Sequence, residues 1–348
     1  MDALDATLDD LKANPRTWLV TGVAGFIGSN LLEALLQAGQ RVVGLDNFAT
    51  GYVANLEDAQ SAVGPDSWEC FRFIEGDIRD LATCREAVKG VQVVLHQAAL
   101  GSVPRSIQDP LASHQANVDG SLNLFLAAKD EGARLVYASS SSVYGDNLDL
   151  PKVEERTGKP LSPYALTKSV VEQYARIFNL TYGFGCIGLR YFNVFGPRQN
   201  KNGPYAAVIP RWITNLLEGE PTLLFGDGST SRDFCYVDNV IQANILAGIT
   251  EHPVAAGRVF NVSCGGSTSL NALHVMIREG LQRRHPEQVF PPPECHSDRA
   301  GDIRHSQANI RAISDLLGYC PRYQVPEGLD RTLDWFCARL NSPSVRGS

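Results

Sequence analysis

The string Thr21-Gly22-Val23-Ala24-Gly25-Phe26-Ile27-Gly28-Ser29 constrains the fold of this chain more than any other. It follows an apolar run, TWLVTG over 17–22, that reads as a strand. It opens FIGSNLLEALLQAG over 26–39, which reads as a helix ended by Gly39. Strand, glycine turn and helix in that order have a physical meaning. Glycines let the backbone approach a pyrophosphate, and the N-terminus of the next helix favours its negative charge. The spacing Gly-x-x-Gly-x-x-Gly is wider than the more familiar Gly-x-Gly-x-x-Gly.

The same rhythm continues. RVVGLD (41–46), FRFIEGD (71–77), VQVVLHQA (91–98), RLVYASS (134–140) and GCIGLRYFNVFG (185–196) read as strands. Helical patterns lie between them, the long ones near 110–131 and over 163–183. Alternation of this kind predicts an α/β fold, a doubly wound Rossmann sheet of parallel strands over 17–196. After residue 197 loops rich in Gly, Pro, Asn and Asp separate shorter elements. Residues 197–340 are therefore expected to form mainly a smaller C-terminal α/β lobe that binds substrate. RDFCYVDNV (232–240) and RVFNVS (258–263) are expected to return to the sheet, and PPPECHSDRAGD (291–302) reads as a surface loop. Residues 1–16 form an extension whose Leu4, Leu8 and Leu11 suggest a short helix laid on the body, and 341–348 reads as a flexible tail.

Composition narrows the function classes. The net charge is −7 and no dense Lys/Arg block occurs, which argues against a nucleic-acid partner. The acidic N-terminus lacks an apolar core, so it is not read as a signal peptide, and no run approaches the length of a membrane span. Eight cysteines without a C-x-x-C pair read as reduced thiols of a cytoplasmic protein. The seven histidines show no metal-ligand spacing, so no metal is expected.

Asp46 ends the second strand eighteen residues beyond Gly28. A carboxylate there can accept from ribose hydroxyls and would repel a 2′-phosphate, which favours NAD over NADP. Asp77 ends the third strand, where an adenine amine could be met. Tyr164 and Lys168, four apart on a helix, share one face. A tyrosine with its ordinary pKa of about 10 is a poor base at neutral pH. A nearby lysine ammonium and the positive nicotinamide ring are expected to bring it down. Ser140, at the carboxyl end of the fifth strand, can hold the same substrate oxygen as Tyr164.

With these residues in place the chain resembles the extended short-chain dehydrogenase/reductase family, through TGVAGFIGS, Asp46, HQAA (96–99), SSSSVYG, SPYALTK (162–168) and RYFNVFGPR (190–198). HQAALGSVPRS (96–106), GDGSTSRDFCY (226–236) and GDIRHSQAN (301–309) resemble its nucleotide-sugar 4-epimerases, in particular bacterial UDP-N-acetylglucosamine 4-epimerases of surface-polysaccharide synthesis such as O-antigen. The resemblance implies a hydride passed from sugar carbon 4 to bound NAD, a 4-hydroxyl proton passed to Tyr164, and a 4-keto sugar that turns over before the hydride returns. Family dehydratases carry Thr-Asp-Glu where this chain has Ser140, Ser141 and Ser142, and family decarboxylases carry Glu in place of Ser142. Both activities rank low here: expelling water needs an acid and a base, and the decarboxylases' Glu is a serine in this chain.

Beside the residues named above, the resemblance assigns Phe26, Ile27, Asn47, Thr50, Gly51, Ile78, Gln97 and Ala98 to the cofactor. It assigns Ser102, Arg105, Ser141, Ser142, Asn193, Ala207, Val208, Arg232, Arg299, Asp302 and Ser306 to a UDP-sugar. Arg232 and Arg299 would grip the pyrophosphate. Ser306 stands where epimerases restricted to non-acetylated hexoses carry a bulky tyrosine. The resemblance thus implies room for an N-acetyl group, and UDP-GlcNAc and UDP-GalNAc as substrates. Two alternatives stay open: a UDP-GlcNAcA 4-epimerase, since Arg105 and the serine run 139–142 could serve either substrate, and a net NAD-dependent oxidoreductase. A homodimer is also implied, with helices 110–131 and 163–183 packed against their mates. Leu122, Leu126, Val170, Tyr174 and Ile177 fit either that interface or the sheet.

Overall fold

β1 (Thr17–Thr21) is covered on both faces and lies inside a parallel sheet. The structure, a computed structural model, describes residues 3–200, 207–297 and 304–340. β2 (Arg41–Asp46), β3 (Phe71–Glu75), β4 (Val93–His96), β5 (Arg134–Ser140) and β6 (Ile187–Tyr191) follow, and Val259–Val262 supplies a seventh strand. Their spatial order is Val259–Val262, β6, β5, β4, β1, β2, β3. All are parallel, with Thr21 level with His96 on one side of β1 and with Leu45 on the other. The chain order reverses between β1 and β4, and open sheets bind ligands outside the carboxyl ends of their strands at such a point.

Alternation along each strand feeds two cores. Trp18 and Val20 face a layer with Leu31, Leu35, Ala243 and Leu246. Leu19, Val94, Leu135 and Tyr137 face another with Leu124, Phe125 and Phe178. The N-terminal helix Ala3–Ala13 buries Leu11 in the first layer. A third core, around Trp212, Ile213, Phe234, Leu273, Ile277 and Phe336, belongs to the C-terminal lobe.

Three expectations change. Of the segments expected to return to the sheet only Val259–Val262 does so as a strand: Cys235–Tyr236 pairs with Val194–Phe195 and Ser231–Arg232 with Thr268–Ser269, outside the central sheet. The pattern near 110–131 is not one α-helix: Pro110–His114 and Gly120–Glu131 flank a π-helical turn, Gln115–Asp119. Such turns often sit at functional sites. Here Asn117 turns inward, accepting from the Leu100 N–H at 2.8 Å and donating to Thr167 Oγ1 at 3.1 Å. The stretch 291–302 is not all loop: Glu294–His296 pairs in parallel with Leu223–Phe225. Three prolines ahead of it mask a strand only three residues long. Residues 298–302 and the expected tail 341–348 lie outside the described residues. Among the described residues, no helix is long and apolar enough to cross a membrane.

Candidate active site

The carboxyl ends of the strands open onto a cleft of about 950 Å³. At its floor the glycine turn is forced by contact. Gly22 has φ +69°, and a Cβ on it would lie 2.8 Å from the Ala98 backbone nitrogen. A Cβ on Gly28 would lie 2.0 Å from the Gly22 carbonyl oxygen. The turn thus leaves bare backbone at the start of helix Phe26–Gln37, suited to a pyrophosphate.

Asp46 does two things at the end of β2. Its Oδ2 accepts from the Ala24 N–H at 2.9 Å and its Oδ1 from the Phe48 N–H at 2.8 Å, so it shapes the glycine turn. A carboxylate has about four acceptor positions, which leaves capacity for a ribose diol. Burial raises its pKa and the backbone donors oppose the rise. Asp77 is more committed than expected: Arg79 and Asn47 already donate to its oxygens and hold its pKa at about 2. An adenine amine there would compete with both.

Beneath the turn a buried chain of hydrogen bonds fixes one tautomer of His96. The Ser121 hydroxyl donates to the Asn117 carbonyl, so its oxygen accepts from His96 Nε2 at 2.9 Å. His96 Nδ1 then accepts from the Thr21 hydroxyl at 2.8 Å, and Thr21 accepts from the Ala98 N–H at 3.2 Å. Burial, and then the Lys168 charge, pull the His96 pKa down to about 3. The unfolded chain, with an ordinary histidine, takes up this proton first as pH falls. The stability held by neutral His96 is therefore complete above about pH 6.5 and is lost progressively toward pH 3, reaching about 2 kcal/mol near pH 5. We expect His96→Gln to flatten the decline in melting temperature between neutral pH and pH 5, by about one proton of linkage.

Tyr164, Lys168 and Ser140 come together across β5 and helix Pro163–Tyr182. Ser162 caps that helix, and the Ser106 hydroxyl accepts from the Tyr164 N–H at 3.0 Å. Lys168 Nζ donates to the Ala138 carbonyl at 2.7 Å, and burial lowers its pKa to about 8. Ser140 Oγ accepts from both the N–H and the hydroxyl of Ser142, at 3.1 and 2.9 Å. Its own proton is left for the Tyr164 oxygen, to which it is hydrogen-bonded. Burial raises the phenol, because desolvation of the anion dominates, and the Ser140 hydrogen bond opposes the rise. A positive nicotinamide ring beside it would add to that opposition.

Most of the expected residues do border this cleft. Gly22, Gly25, Phe26, Ile27, Gly28, Asn47, Thr50, Ile78, Gln97 and Ala98 line it on one side, and Ser102, Arg105, Ser141, Asn193 and Ala207 on the other. Others do not. Gly51 is buried against Ala24, where it supports the turn from behind. Ser142 serves Ser140, and Val208 packs on the C-terminal core. Arg232 is half-buried and donates to the carbonyls of Ser231 and Arg304 at 3.0 and 3.2 Å. Ser306 is half-buried, its N–H on the Ser231 carbonyl at 3.1 Å, and it caps no helix. Arg299 and Asp302 lie outside the described residues.

Sequence reasoning passed over Arg198, which also borders the cleft. Its φ is +65°, and it is held by Glu33 and by Asp58, the latter at 2.8 Å. It passed over Tyr191 too, whose hydroxyl joins Gln97 and Asn244 at 3.0 and 2.8 Å.

A family model described as "NAD dependent epimerase/dehydratase family" matches residues 18–263. A UDP-glucose 4-epimerase of Mycolicibacterium smegmatis is 37% identical over 91% of this chain and 97% of its own length. A solved UDP-N-acetylglucosamine 4-epimerase from Methanobrevibacter ruminantium, in complex with UDP-N-acetylmuramic acid, is 38% identical, with TM-score 0.84 over 93% of this chain and 99% of that one. A UDP-glucuronic acid 4-epimerase from Bacillus cereus, solved as a mutant with NAD and a fluorinated sugar nucleotide, is 28% identical, with TM-score 0.82 over 93% and 99%.

Proposed function

This chain belongs to the NAD dependent epimerase/dehydratase family, and on that premise we propose that it interconverts UDP-GlcNAc and UDP-GalNAc by inverting carbon 4. It is an NAD-dependent UDP-sugar 4-epimerase, and what we add is the sugar. The observation that carries the reading is the meeting of one phenol, one ammonium and a serine-only strand end in the lining of the cleft.

NAD fits the residues present, because the turn excludes a Cβ at Gly22 and Gly28, and Asp46, which the resemblance assigns to the ribose, keeps free acceptor capacity at the end of β2. When bound, NAD supplies a reversible hydride acceptor for carbon 4. The remaining work falls to the chain. Tyr164 takes the 4-hydroxyl proton and later returns it. Burial raises its pKa, so the phenolate needs partners. The Ser140 proton and the Lys168 ammonium are those partners. Ser142 occupies the acceptor positions of Ser140 and so keeps its hydroxyl pointed as a donor. Ser141 and Ser142 offer no carboxyl acid or base at the strand end, which disfavours expulsion of water.

The acetylated sugar rests on Ser306, a small side chain in a position that the family resemblance places near carbon 2. We expect Ser306→Tyr to lower kcat/KM for UDP-GlcNAc by about 10-fold or more while sparing UDP-glucose. Equal losses on both sugars, or on neither, would remove this support. A second reading, UDP-GlcNAcA, is favoured by Arg105, which borders the cleft beside Ser102 and could meet a sugar carboxylate. Ranking kcat/KM on UDP-GlcNAc, UDP-GlcNAcA and UDP-glucose separates the readings.

The enzyme is proposed to act as a homodimer. Leu122 and Leu126 pack on the sheet core, whereas Tyr174 and Ile177 remain 37% and 44% exposed on helix Pro163–Tyr182, with Leu166 also exposed. An apolar stripe of this kind suits a second copy. Sedimentation should show a dimer that Ile177→Glu converts to monomer, and a monomeric wild-type protein would rule the dimer out.

A further inference from the structure

Three consecutive residues of β5 each engage the same helix. The Ala138 carbonyl holds Lys168, the Ser140 side chain is hydrogen-bonded to Tyr164, and the Ser139 hydroxyl donates to Glu172 Oε1. Tyr164, Lys168 and Glu172 are spaced by four and share one helix face. Glu172 has no assigned part in proton or hydride transfer. It is nonetheless one of the most tightly held carboxylates in the protein.

Arg190 on β6 meets it in a two-pronged contact, Nε to Oε1 at 2.9 Å and Nη2 to Oε2 at 2.8 Å. The two side chains are 5% and 11% exposed. Arg190 is anchored in turn by donating to the Tyr144 hydroxyl at 3.0 Å and the Glu154 carbonyl at 2.9 Å. A buried ion pair seldom adds net stability over an apolar pair of the same shape, which invites another reason for its presence.

Lys168 supplies that reason. The charged and titratable groups around it are Tyr164 and Glu172 on its own helix, His96 on β4 and, behind Glu172, Arg190 on β6. His96 is neutral and Arg190 is cationic. Burial works against the ammonium, and Glu172 is the group that favours it.

We propose that Glu172 is a positioning residue: clamped by Arg190 and Ser139, it sets the register of the Tyr164 helix on β5 and fixes a negative charge one helical turn from Lys168. This rests on the epimerase reading for its purpose but not for its test. Removing the carboxylate leaves Arg190 without its paired partner and takes away the negative charge that favours the Lys168 ammonium.

The test follows the Lys168 ammonium directly, by NMR titration of protein carrying 13C-labelled lysine, with Lys168→Met to assign the signal. In Glu172→Gln the Lys168 midpoint should fall by about one pH unit or more relative to wild type. The alkaline limb of kcat should move down with it. Glu172→Asp, which keeps the charge, should stay near the wild-type midpoint. If Glu172→Gln does not fold, Glu172→Gln/Arg190→Met removes both buried charges and should lower the Lys168 midpoint by less, because the more distant Arg190 cation is lost with the nearer carboxylate. An unchanged Lys168 midpoint, with only a lower melting temperature or a uniform loss of kcat across pH, would make Glu172 a brace and overturn the proposal. Because this titration needs no turnover, its failure would leave the epimerase reading standing. Conversely, failure to find a 4-epimer would leave the titration interpretable.

Discussion

Replacing Tyr164 with phenylalanine is expected to lower kcat for 4-epimerisation by about 10²–10⁴-fold, the usual worth of a positioned acid–base group. The ring is retained, so the helix should keep its place, with Ser162 capping it and Ser106 receiving the Tyr164 N–H. Cofactor content and melting temperature should therefore match wild type. The loss falls on the proton alone. Three neighbours at this strand end are already engaged: Ser139 with Glu172, Ser142 with Ser140, and Lys168 with the Ala138 carbonyl. Steady-state turnover, with product identified by NMR, checks the expectation. Activity within a few fold of wild type would mean that another group carries the proton.

Gly28→Ala is expected to be equally severe for a different reason. The added methyl would stand 2.0 Å from the Gly22 carbonyl oxygen and 2.7 Å from its carbon. Both are backbone atoms, fixed by the Gly22 N–H donating to the Leu45 carbonyl and by the Gly25 N–H donating to the Gly22 carbonyl. Neither can swing aside as a side chain would. The turn must open, at a cost of about 3 kcal/mol or more. It then no longer presents its backbone to a pyrophosphate, so purified Gly28→Ala should hold little NAD and melt earlier. Gly101→Ala is the control. It borders the same cleft, yet a Cβ there meets nothing within 4 Å, and neither property should change.

These two residues were the legible part of the site. The glycine turn is local, and its strand, turn and helix are contiguous in the chain. Tyr164 and Lys168 were likewise legible because helical spacing alone puts them on one face. What stayed hidden is held by contacts between distant segments. Glu172 sits in an ordinary amphipathic pattern, and only β5 and β6 reveal that its carboxylate is buried against Ser139 and Arg190. The cationic neighbour of Tyr164 is visible in the sequence, whereas the burial that raises its phenol is not. Hydrophobic spacing near 110–131 fits a helix whether or not a π-turn interrupts it, so the inward turn of Asn117 left no trace. The division between Leu122 facing the sheet and Ile177 facing outward depends on where the helices land, which periodicity does not say. In the C-terminal lobe, Ser231 and Ser306 are joined by one backbone hydrogen bond across a long separation in sequence, which no local pattern encodes.

The most direct test of the central claim is to incubate purified wild-type protein with UDP-GlcNAc, without added NAD, and follow the sugar by NMR. The account predicts UDP-GalNAc growing in until both epimers coexist, with no net NADH and no dependence on supplied cofactor. Absence of any 4-epimer from UDP-GlcNAc, UDP-GlcNAcA and UDP-glucose alike, or product only in proportion to NAD consumed, would contradict it.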